Sequence, residues 1–279
     1  MIERLFHFLI FVIVAINGFA QLRYPVVGTY QSKSAQGMAI YGNDAFLMND
    51  GGGCRQLDLK TGKIKRQLKL ACASKNPHVN NACFGVERYG NNHFPAIYIS
   101  ECREGGFHCF VESIDSVPVL LQTIHAQTGE KTVRAINWVI DSRQRVFYVV
   151  TRIEKQLDSK GSVRNTITKY RLPRLDEGKT VILTEKDELD SFDVLFPNIL
   201  QGCKIKGNYM YLVTGLEQSL NHRKDSQRAI QVIDLKKKKL EKTIDLTFLT
   251  TNEPEDIDFY MGKCLLYCGQ EGGIYEIKL

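Results

Sequence analysis

The sequence predicts an all-β fold built from five repeated units of about four strands each. The stretches Gln36–Asn43 and Gln201–Asn208 resemble one another, and each continues into an aromatic-rich strand and an Asp-Leu turn. Alternating apolar residues, which are typical of strands, run through the chain, and no helical period of useful length follows the N-terminal apolar run. A period of about 50 residues suits the four-stranded blades of a β-propeller. We therefore predict a five-bladed β-propeller, with a β-sandwich or another blade count as the alternatives.

The first twenty residues have the pattern of a cleaved secretory signal. A mainly apolar run over 5–16 is followed by the small residues Gly18 and Ala20 at the positions that signal peptidases favour. The run is shorter than the roughly 20 residues that span a bilayer, which disfavours a membrane anchor. We expect cleavage near Ala20, a single propeller domain over 21–279, a secreted or periplasmic location and no transmembrane segment after cleavage.

The repeat places the strands of each unit in order. Alternating apolar residues give the second strand in units one, two and three and the third strand in units one and three. The units start near residues 36, 84, 136, 201 and 255, with second strands at 45–48, 96–99 and 146–150 and third strands at 54–59 and 166–172.

The last unit stops at Leu279, one strand short. An unpaired sheet edge is a liability that a radial repeat normally covers. The extended segment 22–30 has no place in another unit. We expect it to supply the fourth strand of the last blade and to close the ring.

Charge and cysteine usage narrow the classes of function. The formal net charge is +6, but the basic residues are scattered through strands rather than clustered in a stripe, so no nucleic-acid partner is indicated. The eight cysteines have no convincing disulfide spacing, since Cys264 and Cys268 fall in one predicted strand. We expect most of them to be reduced core residues, with Cys102 and Cys109 as the exception across a tight hairpin.

Loop lengths point to one end of the propeller as the functional face. The turns between first and second strands, such as Gly42-Asn43 and Gly207-Asn208, are tight. At the opposite end long connections are predicted, and long loops on a rigid scaffold commonly carry recognition. The alternative is that their lengths drifted without use, because surface loops tolerate insertion. The long loops are predicted at 71–81, 152–165, 184–200 and 215–228.

Polar residues at the start of the first strands identify a candidate ligand site. Gln36, Gln201 and Glu255 hold equivalent positions where first strands line a propeller axis, and Asn81 and Asn137 lie nearby in the second and third units. We expect these five side chains to converge in a polar axial pocket that binds a glycan or a protein.

Several motifs carry a family resemblance. The Gln-Gly entry, the Gly-Asn turn, the strand Val232–Leu235 and the closing Glu253–Ile257 resemble secreted bacterial β-propellers of the six-bladed and gluconolactonase-like superfamily. That resemblance implies an alternative function, a metal-dependent, lactonase-like hydrolase with Ca²⁺ or another divalent cation on Glu255 at the axis.

A neutral polar ring is the favoured interpretation of the axial residues. A hard dication generally needs more than one carboxylate, whereas Asp256 and Asp258 are predicted to point to the other side of their strand from Glu255. The sequence has no Gly-x-Ser-x-Gly elbow and no His pair at metal-ligand spacing. It therefore favours a secreted, non-catalytic binding protein over the hydrolase.

Overall fold

The computed structural model is an all-β protein whose strands form five sheets, and both the fold class and the five-bladed propeller are confirmed. The innermost strands of the five sheets lie side by side in a closed circle around the axis. The structure describes residues 20–24, 35–103, 106–128, 131–132, 134–152, 162–197, 199–216, 227–247, 252–269 and 273–279.

Within each blade the successive strands pair antiparallel in chain order from the axis outward, apart from the N-terminal strand, which joins blade 5, and one strand that adds parallel to blade 2. The N-terminal strand β1 (Ala20–Tyr24) belongs to blade 5, the last blade of the chain. Blade 1 contains β2 (Ala35–Tyr41), β3 (Asp44–Asn49), β4 (Gly53–Asp58) and β5 (Lys63–Lys69). Blade 2 contains β6 (Val79–Phe84), β7 (Ile97–Glu101), β8 (Cys109–Ser113), β9 (Val119–Thr128) and β10 (Lys131–Thr132). Blade 3 contributes β11 (Ala135–Asp141), β12 (Val146–Arg152), β13 (Ser162–Arg171), β14 (Thr180–Leu183) and β15 (Glu188–Pro197). Blade 4 contains β16 (Leu200–Lys206), β17 (Tyr209–Thr214), β18 (Ala229–Asp234) and β19 (Lys239–Asp245), and blade 5 contains β20 (Pro254–Tyr260), β21 (Lys263–Cys268) and β22 (Ile274–Ile277).

Burial falls from the axis to the rim of a blade. All six residues of β6 are buried, because an inner strand is covered by the neighbouring blades on both faces. Residues of β5, the outermost strand of blade 1, alternate between exposed and half-buried. Gly42 and Gly207 have φ of 60° and 65° in the tight turns after β2 and β16, a left-handed backbone that glycine adopts without strain.

The N-terminal strand β1 lies at the outer edge of blade 5. It pairs antiparallel with β22, and Ala20 lies opposite Ile277. The rest of the predicted strand, 25–30, lies outside the described residues. That this pairing is what closes the ring stays a prediction.

Blade 3 differs from the sequence-based prediction. The loop expected at 184–200 is instead a short 3₁₀ helix, Glu185–Asp187, followed by β15, which pairs with β13 as the outer strand. The prediction failed because polar residues such as Asp190 and Asp193 interrupt the apolar pattern of a strand that has one face in solvent. β14 leaves its own blade and pairs parallel with β9, which widens blade 2.

The other predicted long loops are partly structured or partly outside the described residues. The segment 71–81 contains a 3₁₀ helix, Ala71–Lys75, and the first residues of β6. The segments 152–165 and 215–228 include 153–161 and 217–226, which the structure does not describe.

Hydrophobic clusters fill the spaces between blades. Trp138, Phe147 and Tyr98 are almost fully buried between blades 2 and 3, and the Tyr98 and Phe147 rings meet edge to face at 5.5 Å between centroids. Such aromatic contacts stabilise beyond the area they bury, by about 1 kcal/mol per pair. Within the described part of the chain, no helix is long and apolar enough to cross a membrane.

All eight cysteines are free thiols, so the expected Cys102–Cys109 disulfide is wrong. The hairpin register explains this, because Cys109 lies opposite Ser100 and the backbone of Glu101 pairs with that of His108. Cys264 and Cys268 do share one strand, β21, as predicted.

Candidate functional site

A pairing shift occurs at the start of every inner strand. In each blade one extra residue is inserted into the inner strand where it begins to pair with the second strand. Such β-bulges re-aim the side chains next to them. By this register Gln36, Asn80, Gln201 and Glu255 are equivalent, and blade 3 has Ile136 at that position.

Polar side chains from neighbouring blades meet at this end of the axis. The side-chain amides of Asn80 and Asn137 both donate to the backbone oxygen of Gln201. Gln201 Nε2 in turn donates to Gly215 O at 3.2 Å and to Glu253 Oε1 at 2.5 Å. These contacts link blades 2, 3, 4 and 5. We call Gln36, Asn80, Asn137, Gln201 and Glu255 the axial ring.

Glu255 is the one acid of the axial ring, and it has 1% of its surface exposed. Gly269 faces its carboxylate, and a Cβ at that glycine would overlap Glu255 Oε1. Burial raises the pKa of Glu255 well above its usual range, and the charges of Glu253, Asp256 and Asp50 raise it further. The position therefore favours the neutral acid or an added donor from a ligand.

The axial ring leaves acceptor atoms without donors. Gln36 Oε1, Asn137 Oδ1 and Glu255 Oε2 are buried and accept no hydrogen bond from any described residue. Asp50 Oδ1, in the turn between β3 and β4, has the same status, and its charge acts on Glu255. A buried acceptor without a donor costs about 1–3 kcal/mol. All four atoms can accept a hydrogen bond from the same kind of ligand group, a hydroxyl or an amine.

Asp256 and Asp258 face the axis, so the prediction that they point away from it is wrong. Asp256 Oδ2 accepts hydrogen bonds from Met38 N at 2.7 Å and from Ala82 N at 3.2 Å. Asp258 Oδ2 accepts from Ile40 N at 2.8 Å and from Lys204 Nζ at 2.7 Å. The bulge at the start of β20 changes the phase of the strand, because one inserted residue reverses the alternation.

These two aspartates tie blades together. Burial raises the pKa of Asp256 well above its usual range, although three backbone N–H groups oppose that rise. Burial lowers the pKa of Lys204, but Asp258 opposes it and the net direction is upward. Because their oxygens are occupied by backbone and lysine donors, we assign Asp256 and Asp258 to the scaffold.

Asn81, one of the five residues predicted for the site, is hydrogen-bonded to neighbouring strands through its side chain. Its amide nitrogen donates to Cys203 O at 3.2 Å, and its oxygen accepts from Ser100 Oγ at 2.7 Å. Asn80 holds the position equivalent to Gln36, although sequence comparison alone could not align it. Asn81 thus has protein partners for both side-chain atoms.

Asp50 and Glu253 belong to this region but were not predicted as site residues. Asp50 precedes Gly51-Gly52-Gly53 in the turn between β3 and β4, a sequence typical of a hairpin turn. Glu253 belongs to the closing motif Glu253–Ile257, and its hydrogen bond with Gln201 places it beside the axial ring. The sequence signal for Asp50 is its position. It is an acid directly after the second strand of unit one, at the end of the propeller where the first strands begin.

The donor set does not fit a divalent cation. Among the described residues there is no group of three or more His, Cys, Asp or Glu side chains arranged to hold a metal ion. Two of the unpartnered oxygens are neutral amides, and the second acid of the β20 start, Asp256, is engaged by backbone donors.

Comparisons with known proteins address the fold alone. No protein-family model matches the chain, and no curated protein matches it. Among solved structures, the chain is similar to the crystal structure of Myxococcus xanthus glutaminyl cyclase, with a TM-score of 0.53 over 93% of this chain and 95% of that chain. The identity is 12%, so this likeness supports the propeller fold and not an activity. The resemblance to gluconolactonase-like propellers stays a prediction.

Proposed function

We propose that this protein is a secreted, non-catalytic glycan-binding protein whose ligand contacts the axial ring. The observation that carries the proposal is the set of buried, unpartnered acceptors, Gln36 Oε1, Asn137 Oδ1, Glu255 Oε2 and Asp50 Oδ1. Buried polar atoms in native proteins almost always have partners, so a set without them at one end of the axis is a reason to expect a ligand that brings donors.

A glycan suits this set better than a general protein surface does. Sugar hydroxyls are compact donors that can each meet one buried acceptor, whereas the axial-ring side chains are too buried for a flat protein surface to reach. Gln36 and Gln201 are only 7% and 6% exposed. A protruding sugar is therefore the ligand that the geometry favours over the protein alternative from the sequence.

The secreted location remains part of the proposal. The signal pattern over 1–20 supports it, and residues 1–19 lie outside the described residues.

The metal-dependent hydrolase is not supported by the donor set described above, and no step is assigned to a metal. Metal analysis of the purified protein tests this directly. A stoichiometric dication that is lost in Glu255→Gln would contradict the binding-protein proposal.

A glycan array probed with residues 20–279 tests the proposed function. We expect a defined glycan class to bind, and Gln36→Ala to weaken that binding about tenfold, the scale of one or two lost hydrogen bonds. Gln67→Ala, at an exposed glutamine of β5, is the matched control and should bind as the wild type does. Absence of any bound glycan, or equal binding by the Gln36 variant, would overturn the proposal.

A further inference from the structure

A second concave site lies on blade 2, away from the axial ring. It is a cavity of about 510 Å³ between the sheet of blade 2 and the 3₁₀ helix that connects blades 1 and 2. Ligand pockets in proteins commonly fall in the range of about 300–1,000 Å³. The rim residues Lys75, Asn76 and Arg103 are exposed, so the cavity is open to solvent.

The floor of this cavity consists of side chains on one face of three paired strands. Glu101 and His108 are linked by a backbone hydrogen bond, and the register places His125 next in the same row. The next row on that face holds Phe110 and Thr123, which are directly paired. Residues two apart on a strand share a face, so the floor is a regular patch of polar groups around one aromatic ring.

Blade 3 completes the floor through β14. Thr180 pairs with Thr123 in the parallel contact between β14 and β9, and it lines the cavity. An ordinary four-stranded blade would end at β9. The additional strand β14 therefore extends the floor of the cavity beyond β9.

The two histidines lie side by side on the floor of the cavity. Their rings lie 4.9 Å apart between centroids. Burial lowers the pKa of His125, and the neighbouring His108 lowers it further. Within the described residues, His108 Nδ1 is buried without a hydrogen-bond partner.

Glu101 is an acceptor on the same floor. Its Oε1 accepts backbone N–H groups from His78 at 3.2 Å and Arg103 at 2.8 Å. Its Oε2 is buried beside Gly106 and has no hydrogen-bond partner among the described residues. The floor thus offers sites for hydroxyl groups, and the rim offers the two cations Lys75 and Arg103.

We propose that this cavity binds a small hydroxylated organic anion, with its phosphate or carboxylate group at Arg103 and Lys75 and its hydroxyl groups at Glu101 and His108. Arginine forms charge-assisted hydrogen bonds to such oxyanions, and these are about twice as strong as neutral ones. The apolar part of the ligand lies on Phe110. This cavity shares no residue with the axial ring, so anion binding here can be tested independently of the proposed glycan site.

Titration calorimetry on residues 20–279 tests the proposal with three probes. Glycerol 3-phosphate carries both the anion and hydroxyl groups, inorganic phosphate carries the anion alone, and glycerol carries hydroxyl groups alone. We expect saturable binding of glycerol 3-phosphate at millimolar or lower concentration, weaker binding of inorganic phosphate and no measurable binding of glycerol.

Two variants locate the binding. Arg103→Ala should weaken glycerol 3-phosphate binding about tenfold or more, because it removes the charge-assisted contact. His125→Phe keeps a ring beside His108 and should weaken it by a smaller factor. Arg164→Ala is the matched control, since Arg164 is a half-exposed arginine on blade 3 that pairs with Asp193.

The inference is overturned by any of three results. These are no saturable heat with glycerol 3-phosphate, equal affinity in the Arg103 variant and the wild type, or binding of glycerol as tight as that of its phosphate ester. Thermal unfolding midpoints of the variants within a few degrees of the wild type confirm that a loss of binding is local.

Discussion

The carboxylate of Asp256 fills the space that the missing side chain of Gly202 leaves at the propeller axis. From there Asp256 Oδ2 reaches the backbone nitrogens of Met38 and Ala82, so one side chain of blade 5, packed on Gly202 of blade 4, joins the inner strands of blades 1 and 2. The Gln-Gly sequence at 201–202 therefore has two roles. Gln201 contributes a side chain to the axial ring, and Gly202 leaves room for Asp256 to approach and link the inner strands.

Gly202→Ala should destabilise the fold by about 3 kcal/mol, the upper end of the usual cost of overpacking a rigid site. The added Cβ overlaps Asp256 Oδ1, so the carboxylate has to move. Its other oxygen, Oδ2, then loses the geometry in which it accepts two interblade hydrogen bonds. Urea unfolding measures the loss. Gly207→Ala is the control, because Gly207 has φ of 65° but open space around a Cβ, so it should lose only about 1 kcal/mol. Equal losses in the two variants would show that the contact with Asp256 is not the cause.

The sequence predicts the inner part of each blade well and the outer part less well. Inner strands such as β16 and β20 are mostly buried, and the repeat in the sequence places Gln201 and Glu255 at equivalent positions. The outer strand β15 has one face in solvent, and its polar residues hid it.

The axial contacts are beyond what sequence patterns can predict. A hydrogen bond from Met38 N to Asp256 joins residues 218 positions apart, and nothing in either local sequence encodes it. The bulge at the start of β20 then reverses the predicted direction of Asp256, since alternation fixes the face of a side chain only where pairing is regular.

Glu255→Gln should stabilise the ligand-free protein, and the gain should grow with pH. Burial, followed by the neighbouring acids, raises the pKa of Glu255 in the folded state above its unfolded value of about 4.3. A raised folded pKa means that the stability contribution is fully present below about pH 4 and is lost as the pH rises through the folded pKa. The variant should match the wild type near pH 4 and exceed it by about 1 kcal/mol or more at pH 8.

Denaturant unfolding between pH 4 and pH 8 measures this difference. Glu188→Gln, at an exposed glutamate of β15, serves as the control and should give a nearly constant difference from the wild type. A constant difference for Glu255→Gln as well would contradict the assignment of Glu255 to a buried, acid-rich site.

Removal of the N-terminal strand β1 should destabilise the protein at the outer edge of blade 5. β1 pairs with β22, the outermost strand contributed by the C-terminal end of the chain, so a chain that begins at residue 25 leaves the β22 edge without that partner. Exposed edges lower stability and promote association between copies. We expect a lower unfolding midpoint and concentration-dependent association in light scattering, relative to a chain that begins at Ala20.

A third chain, in which 20–24 are replaced by a Gly/Ser segment of equal length, separates the loss of strand pairing from the loss of chain length and should behave like the truncation. If the truncated chain is monomeric and as stable as the longer one, β1 does not close the ring.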